Sequence, residues 1–359
     1  MKMNLGKSWD DRPMVVIWEV TRACALACKH CRASAMRCPD PRELNKEWGA
    51  RLIEQIAALG PMVFVLTGGD PMERRDVLDR AAQATDLGLR VALSPSATPL
   101  FLASDMQQIR DSGIQRISIS LDGVTKEQHD HFRGVDGTWD WTMEAMQKVV
   151  DAGIELQINT TFAKHNVHDF EQMVDLVAQW NPSLWSVFQL VPTGRASMED
   201  LLSGEEMEEL FIKLHRKSLS LPFAIKTTEG QHYRRVVLQQ NKKLGIKQNM
   251  PSMGISDGKG FVFISHTGDV YPSGFLPLSA GNIKQTDLGE IYRNSPLFRR
   301  LRDADALQGK CGYCEYRKIC GGSRARAYTM TGDPMGEEPL CTYQPKKPIQ
   351  PFQELLSHA

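Results

Sequence analysis

Apolar residues along this chain gather in short runs separated by longer stretches of helical spacing. "MVVIWEV" at 14–20, "MVFVL" at 62–66, "LRVAL" at 89–93, "RISISL" at 116–121, "ELQINTT" at 155–161 and "LWSVFQL" at 184–190 are rich in β-branched residues and predict six strands. Between them, Leu52, Ile53, Ile56 and Ala57, and later Met143, Met146, Val149 and Val150, recur at the period of a helix with one buried face. Near-continuous apolar strands alternating with such helices predict an α/β fold, a parallel sheet covered by six β/α units.

Each predicted strand ends in small, polar or glycine-rich residues. The first runs into "TRACALACKHCRASA" at 21–35, the second into "TGGDP" at 67–71 and the third into "SPSAT" at 94–98. "SLDG" at 120–123, "NTT" at 159–161 and "PTGR" at 192–195 end the other three. In β/α barrels the active site is built from the loops at the carboxyl ends of the strands, so these six loops are expected to line one site. The pattern then changes. Residues 197–250 read as largely helical, and "GKGFVFISHTGDVYPSG" at 258–274 reads as a hairpin turning at His266-Thr267-Gly268-Asp269. The expected organisation is an N-terminal segment at 1–13, a barrel at 14–200, a helical linker at 201–255 and a small cysteine-rich domain at 256–359.

Lys plus Arg and Asp plus Glu are both 43, which argues against a general binder of nucleic acid or anionic membrane. The first thirteen residues carry no long apolar run, so the expected location is the cytoplasm. In that reducing compartment the 8 cysteines are expected to bind metal rather than form disulfides. They fall into two groups: Cys24, Cys28, Cys31 and Cys38, then Cys311, Cys314, Cys320 and Cys341. The spacing C-x3-C-x2-C of Cys24, Cys28 and Cys31 gives three thiolates, which leave a metal or cluster with an open position. Zinc with Cys38 as fourth ligand is the alternative. The second group supplies four thiolates, enough to saturate one cluster or one zinc.

"CALACKHC" after the first strand, "GGDP" after the second and "SISLDG" after the fourth resemble the radical S-adenosylmethionine (SAM) superfamily. The resemblance implies a partial (β/α)6 TIM-like barrel in which Cys24, Cys28 and Cys31 hold a [4Fe–4S] cluster. Its open iron binds SAM, and reductive cleavage of SAM yields a 5′-deoxyadenosyl radical. By the same resemblance Gly68, Gly69 and Asp70 hold the SAM ammonium, with Asp where the family has Glu. Ser118 or Ser120 contacts the ribose, Arg133 pairs with the SAM carboxylate and His30 packs near adenine. Asp122 and Asn159 complete the cofactor-binding set. Ser96-Ala97 replaces the Asn-Gly common after the third strand, and Cys38 matches no ligand position.

The tail resembles SPASM/twitch extensions, which implies an auxiliary [4Fe–4S] cluster on Cys311, Cys314, Cys320 and Cys341. Ser273 and Arg324 stand where a full SPASM pattern has cysteines, so one auxiliary cluster is expected and not two. The wording of "WEVTRACALACKHCRASA", "DLGLRVALSPSAT" and "YPSGFLPL" is most similar to enzymes of alternative haem and haem d1 biosynthesis. That implies a tetrapyrrole substrate, with Arg195, Lys226, Arg234 and Arg235 available to its carboxylates and His232 or His266 to its iron. An electron donor such as flavodoxin or ferredoxin is implied as partner. The alternatives are a maturase acting on a ribosomal peptide and a non-enzymatic zinc module.

Overall fold

The computed structural model of the chain describes residues 9–247 and 254–346. The six predicted strands form as β1 (Val15–Glu19), β2 (Val63–Thr67), β3 (Val91–Leu93), β4 (Ile114–Ser120), β5 (Glu155–Phe162) and β6 (Leu184–Gln189). They pair in sequence order and all run parallel. A right-handed crossover through a helix is the usual way to join parallel neighbours, and a helix follows each of these strands.

Four further strands were not all legible. The segment expected to be a helical linker contains β7 (Ala224–Thr228), parallel to β6, between helices Gly204–Ser218 and Tyr233–Leu244. Its sequence, AIKTT, is a short edge strand without an apolar run, so periodicity could not separate it from a loop. The last three positions of the helical expectation lie outside the described residues. The predicted hairpin forms as β8 (Phe261–Ile264) and β9 (Asp269–Tyr271), antiparallel and followed by β10 (Gly281–Asn282). β8 also pairs parallel with β1, placing Phe263 beside Ile17, so the C-terminal segment extends the barrel sheet. The order is β10-β9-β8-β1-β2-β3-β4-β5-β6-β7, and the two edges do not pair with each other. The barrel is therefore laterally open.

Burial alternates along the first two strands. On β1, Val16 and Trp18 are fully buried against the helices, whereas Val15 and Ile17 are only half-buried. β2 repeats the pattern, with Phe64 and Leu66 buried between half-buried neighbours. The dense core thus lies between sheet and helices, and the inner face opens on a cavity. Helix Lys46–Leu59 shows how the outer layer is built. The Asn45 side chain accepts from Trp48 N at 3.0 Å to start it, and Gly60, at φ 65°, ends it. Leu52, Ile53, Ile56 and Leu59 form its buried face, each worth about 1.5–3 kcal/mol of burial. Among the described residues no helix is long and apolar enough to cross a membrane.

A fully buried ion pair joins the C-terminal segment to the barrel. Arg326 Nε donates to Glu338 Oε1 at 2.8 Å, and its other nitrogens donate to Leu190 O at 3.1 Å and Glu229 O at 2.8 Å. Burial alone would raise the Glu338 carboxyl, but the Arg326 guanidinium outweighs it and holds the group down at about 2. Replacing Arg326 with Met strands that carboxylate without its partner. The expected cost is about 3–5 kcal/mol, read as a lower midpoint in anaerobic urea denaturation; an unchanged midpoint would show that the pair does not hold the two parts together.

Candidate active site

The loop after β1 is clamped by main-chain bonds on several sides. Gly69 N donates to Thr21 O at 2.8 Å and Asp70 N to Ala23 O at 2.7 Å. Cys24 N donates to Met36 O at 2.8 Å, and Lys29 N to Phe132 O at 2.9 Å at the end of helix Lys126–Arg133. Arg195 closes the remaining side: its N donates to Cys31 O at 3.0 Å and its Nε to Cys28 O at 2.9 Å. The two glycines after β2 are required by this contact. A Cβ on Gly68 would meet Thr21 O at 2.7 Å, and one on Gly69 would meet Ala23 O at 2.4 Å.

The clamped loop lines a cavity of about 1170 Å³, counted out to its open mouth. Cys24, Cys28 and Cys31 face it together with Gly68, Gly69, Ser96, Ser120, Asn159 and Arg133. Every sulfur has a donor: Leu26 N lies 3.3 Å from Cys24, Ala35 N 3.4 Å from Cys31 and Arg133 Nη1 3.7 Å from Cys28. Burial pushes the Cys24 thiol up to about 11 and raises Cys28 as well, despite Arg133. Buried thiols of this kind ionise when a metal takes the place of the proton. Three sulfurs with N–H donors around one void fit a cluster with one uncapped iron. Cys38 is exposed and lines no part of this cavity, which removes the four-thiolate zinc reading of the first group.

Two of the expected positions are placed relative to this cavity. Ser120 reaches the cavity and Ser118 does not: they share a face of β4, and Ser118 sits one strand repeat deeper. His30 lines the cavity and stacks on Phe132 at 4.1 Å with the rings 4° from parallel. Burial drops its pKa to about 3, so the ring is neutral.

Two carboxylates depart from expectation. Asp70 is fully buried behind the wall, where its oxygens accept from Met72 N, Ser96 N and Thr98 Oγ1 at 3.1, 3.3 and 3.0 Å. Burial raises it to about 6, and it does not line the cavity. Asp122 likewise lies behind the wall, accepting from Thr161 N at 2.7 Å and pairing with Arg133. Burial opposes its ionisation, but the Arg133 guanidinium holds the carboxyl below its usual range. Asp122 therefore fixes Arg133, and Arg133 is the group at the surface of the cavity.

Sequence reasoning missed Phe188, Gln189 and Phe275, which also line the cavity. Phe188 follows from alternation on β6. Phe275 comes from beyond the hairpin, and nothing local in the sequence brings it to the barrel.

Cys311, Cys314, Cys320 and Cys341 line a second cavity, of about 390 Å³, with His232, Arg235, Lys310 and Glu338. The four thiols share this one space, which fits a multi-iron cluster. Burial pushes Cys320 up to about 12 and raises Cys314 and Cys341. Ser273 is buried away from these thiols, and Arg324 donates to Pro334 O and Gly336 O at 2.9 and 2.6 Å.

Residues 18–177 match the family model of the radical SAM superfamily, and residues 256–315 match that of the iron–sulfur cluster-binding SPASM domain. The AdoMet-dependent heme synthase of Oleidesulfovibrio alaskensis is 42% identical over 357 residues, covering 96% of this chain and 92% of its own. The chain belongs to the radical SAM superfamily. As a radical SAM enzyme it uses SAM and a [4Fe–4S] cluster, with an auxiliary cluster in its SPASM segment. The AdoMet-dependent heme synthase of Nitratidesulfovibrio vulgaris is 43% identical, over 93% of each chain. Among solved structures, Streptococcus suis SuiB bound to S-adenosylmethionine superposes with a TM-score of 0.71 over 93% of this chain and 78% of that one, at 17% identity.

Gly69→Ala tests the clamp of this radical SAM enzyme. The added methyl would press on Ala23 O and Arg22 O, which are main-chain atoms and cannot swing aside. Anaerobic reconstitution is expected to fall from about eight irons per chain to about four, with the SPASM cluster kept; full iron loading would show that the close approach is dispensable.

Proposed function

We propose that this radical SAM enzyme removes carboxylate side-chain carbon from an iron tetrapyrrole, in the manner of haem or haem d1 biosynthesis. The observation that carries the reading is the 42% identity to an AdoMet-dependent heme synthase over 96% of the chain. In this reading Cys24, Cys28 and Cys31 hold the SAM-binding cluster, and Cys311, Cys314, Cys320 and Cys341 hold the auxiliary one. Residues 14–200 carry the radical chemistry and residues 256–359 the auxiliary cluster, with the strands β7 and β8 widening the barrel. When bound, SAM and its cluster supply a 5′-deoxyadenosyl radical that takes a hydrogen atom from the substrate.

The chain's own residues then bind, orient and exclude water. Arg133, fixed by Asp122, offers its charge to the SAM carboxylate. The main chain at Gly68 and Gly69 meets the amino acid end, without the Asp70 carboxylate. Ser120 and Asn159 face the ribose, and His30, neutral and stacked, offers a flat apolar surface to adenine. Phe188, Leu190, Val191 and Phe275 give the cavity an apolar wall suited to a macrocycle. An electron donor of the flavodoxin or ferredoxin kind, in the cytoplasm, completes the reading.

Lys226 is the cation that suits a substrate carboxylate. Strand register sets Ser120, Asn159, Ser186 and Lys226 in one row across β4 to β7, facing the barrel interior. Lys226 is exposed there, on the strand that borders the lateral opening. The other expected cations are engaged: Arg195 with the cysteine loop, Arg234 with Ile319 O and Ile255 O, Arg235 with Glu208. His266 lies between Glu19 and Asp40, at 2.8 and 3.4 Å, and is not offered to a substrate iron.

The test incubates the reduced, anaerobically reconstituted protein with SAM and Fe-coproporphyrin or didecarboxysirohaem. Decarboxylated or otherwise shortened side chains, with 5′-deoxyadenosine formed in step, are expected. An unchanged porphyrin, together with 5′-deoxyadenosine released only on adding a precursor peptide, would replace the reading with that of a peptide maturase. Lys226→Ala is expected to raise KM for the porphyrin about tenfold, about 1.4 kcal/mol of lost pairing, with kcat little changed; equal kinetics would place the carboxylates elsewhere.

A further inference from the structure

His232 stands in the wall of the four-thiol cavity with nothing to bond to. It is 1% exposed, and neither ring nitrogen has a hydrogen-bond partner. It holds the N-cap position of helix Tyr233–Leu244, yet its side chain does not cap that helix. Phe211 meets the ring nearly edge-on at 4.8 Å. The other polar groups of this wall are largely occupied, although the buried Arg235 Nε also has no partner. Arg235 pairs with Glu208, Lys310 donates to Cys341 O, and Glu338 is held by Arg326 and by Ser323 N. A neutral imidazole carries one N–H, and leaving it unpaired in the interior is costly. The acceptors this cavity is built to receive are the sulfurs of an iron–sulfur cluster.

We propose that His232 donates a hydrogen bond to a sulfur of the auxiliary [4Fe–4S] cluster and thereby raises its reduction potential. The inference rests on the four-cysteine reading of that site. Reduction adds negative charge to the sulfurs, so a fixed N–H stabilises the reduced form more than the oxidised one. His232 is a positioning and tuning residue here, and no iron leaves its thiolate to accommodate it.

The experiment uses the full chain carrying Cys24→Ala, Cys28→Ala and Cys31→Ala, so that only the auxiliary cluster assembles. About four irons per chain are expected in this parent. Adding His232→Leu is expected to lower the reduced-to-oxidised ratio at the parent's midpoint about tenfold, a shift of about 59 mV for a one-electron couple. His232→Gln keeps an N–H donor and is expected to restore much of that shift. In a parent labelled with 15N-histidine, pulsed paramagnetic resonance of the reduced cluster should show a weak nitrogen coupling and a proton that exchanges in D2O. Four irons and an unchanged potential in His232→Leu would overturn the proposal alone. So would a labelled parent lacking both couplings, whether or not the Leu variant assembles. Strong nitrogen coupling with iron lost from both substitutions would make His232 a ligand and overturn the donor role. A parent without iron would overturn the four-cysteine reading and the proposal together.

Discussion

The structure depends on one close approach, that of the main chain at Gly68-Gly69 to the main chain at Thr21–Ala23. It fixes the start of the cysteine loop relative to the second strand, and any side chain at Gly69 would break it. Three cysteines lining one cavity keep a shared geometry only if their loop is held rigid. The remaining bonds, from Met36, Phe132 and Arg195, hold the far side of the loop. At the glycines the clamp is made by backbone atoms alone, which have no rotamers to lose.

Buried charge then divides the polar residues into two layers. Arg133 reaches the cavity, and Asp122 behind it supplies the counter-charge that makes its burial tolerable. Asp70 sits behind the glycines and collects three donors, Met72 N from its own turn and Ser96 N and Thr98 Oγ1 from the next loop. A carboxylate removed from water must be met by several donors. Asp70 and Asp122, expected as cofactor contacts, thus lie behind the cavity wall.

The two thiol groups differ in what surrounds them as well as in number. The first opens on a large cavity walled by strand ends and by Phe275 from the C-terminal segment. The second is a smaller space closed by His232, Glu338 and basic side chains, tied to the barrel through Arg326. An open site beside a saturated one suits a reactive centre next to an electron-transfer or structural one. Arg326, bonded to both Glu338 and Leu190 O, gives the two walls a shared element.

The alternation of apolar runs and helical spacing fixed the six β/α units, because a strand buried on one face and a helix with one apolar stripe leave a local periodicity. The thiol spacings and the paired glycines were also legible, since metal ligation and close backbone approach each demand one residue type. What the chain alone left open was decided at long range. Lys226 becomes an inward cation only through the register of β7 on β6, and β8 joins β1 across more than half the chain. Asp70 faces away from the cavity because Thr98 and Ser96 draw it there. His232 reaches the second cavity through the packing of its helix. Periodicity records which face of an element is buried; it carries no record of which distant element covers that face, and that pairing sets what each polar group meets.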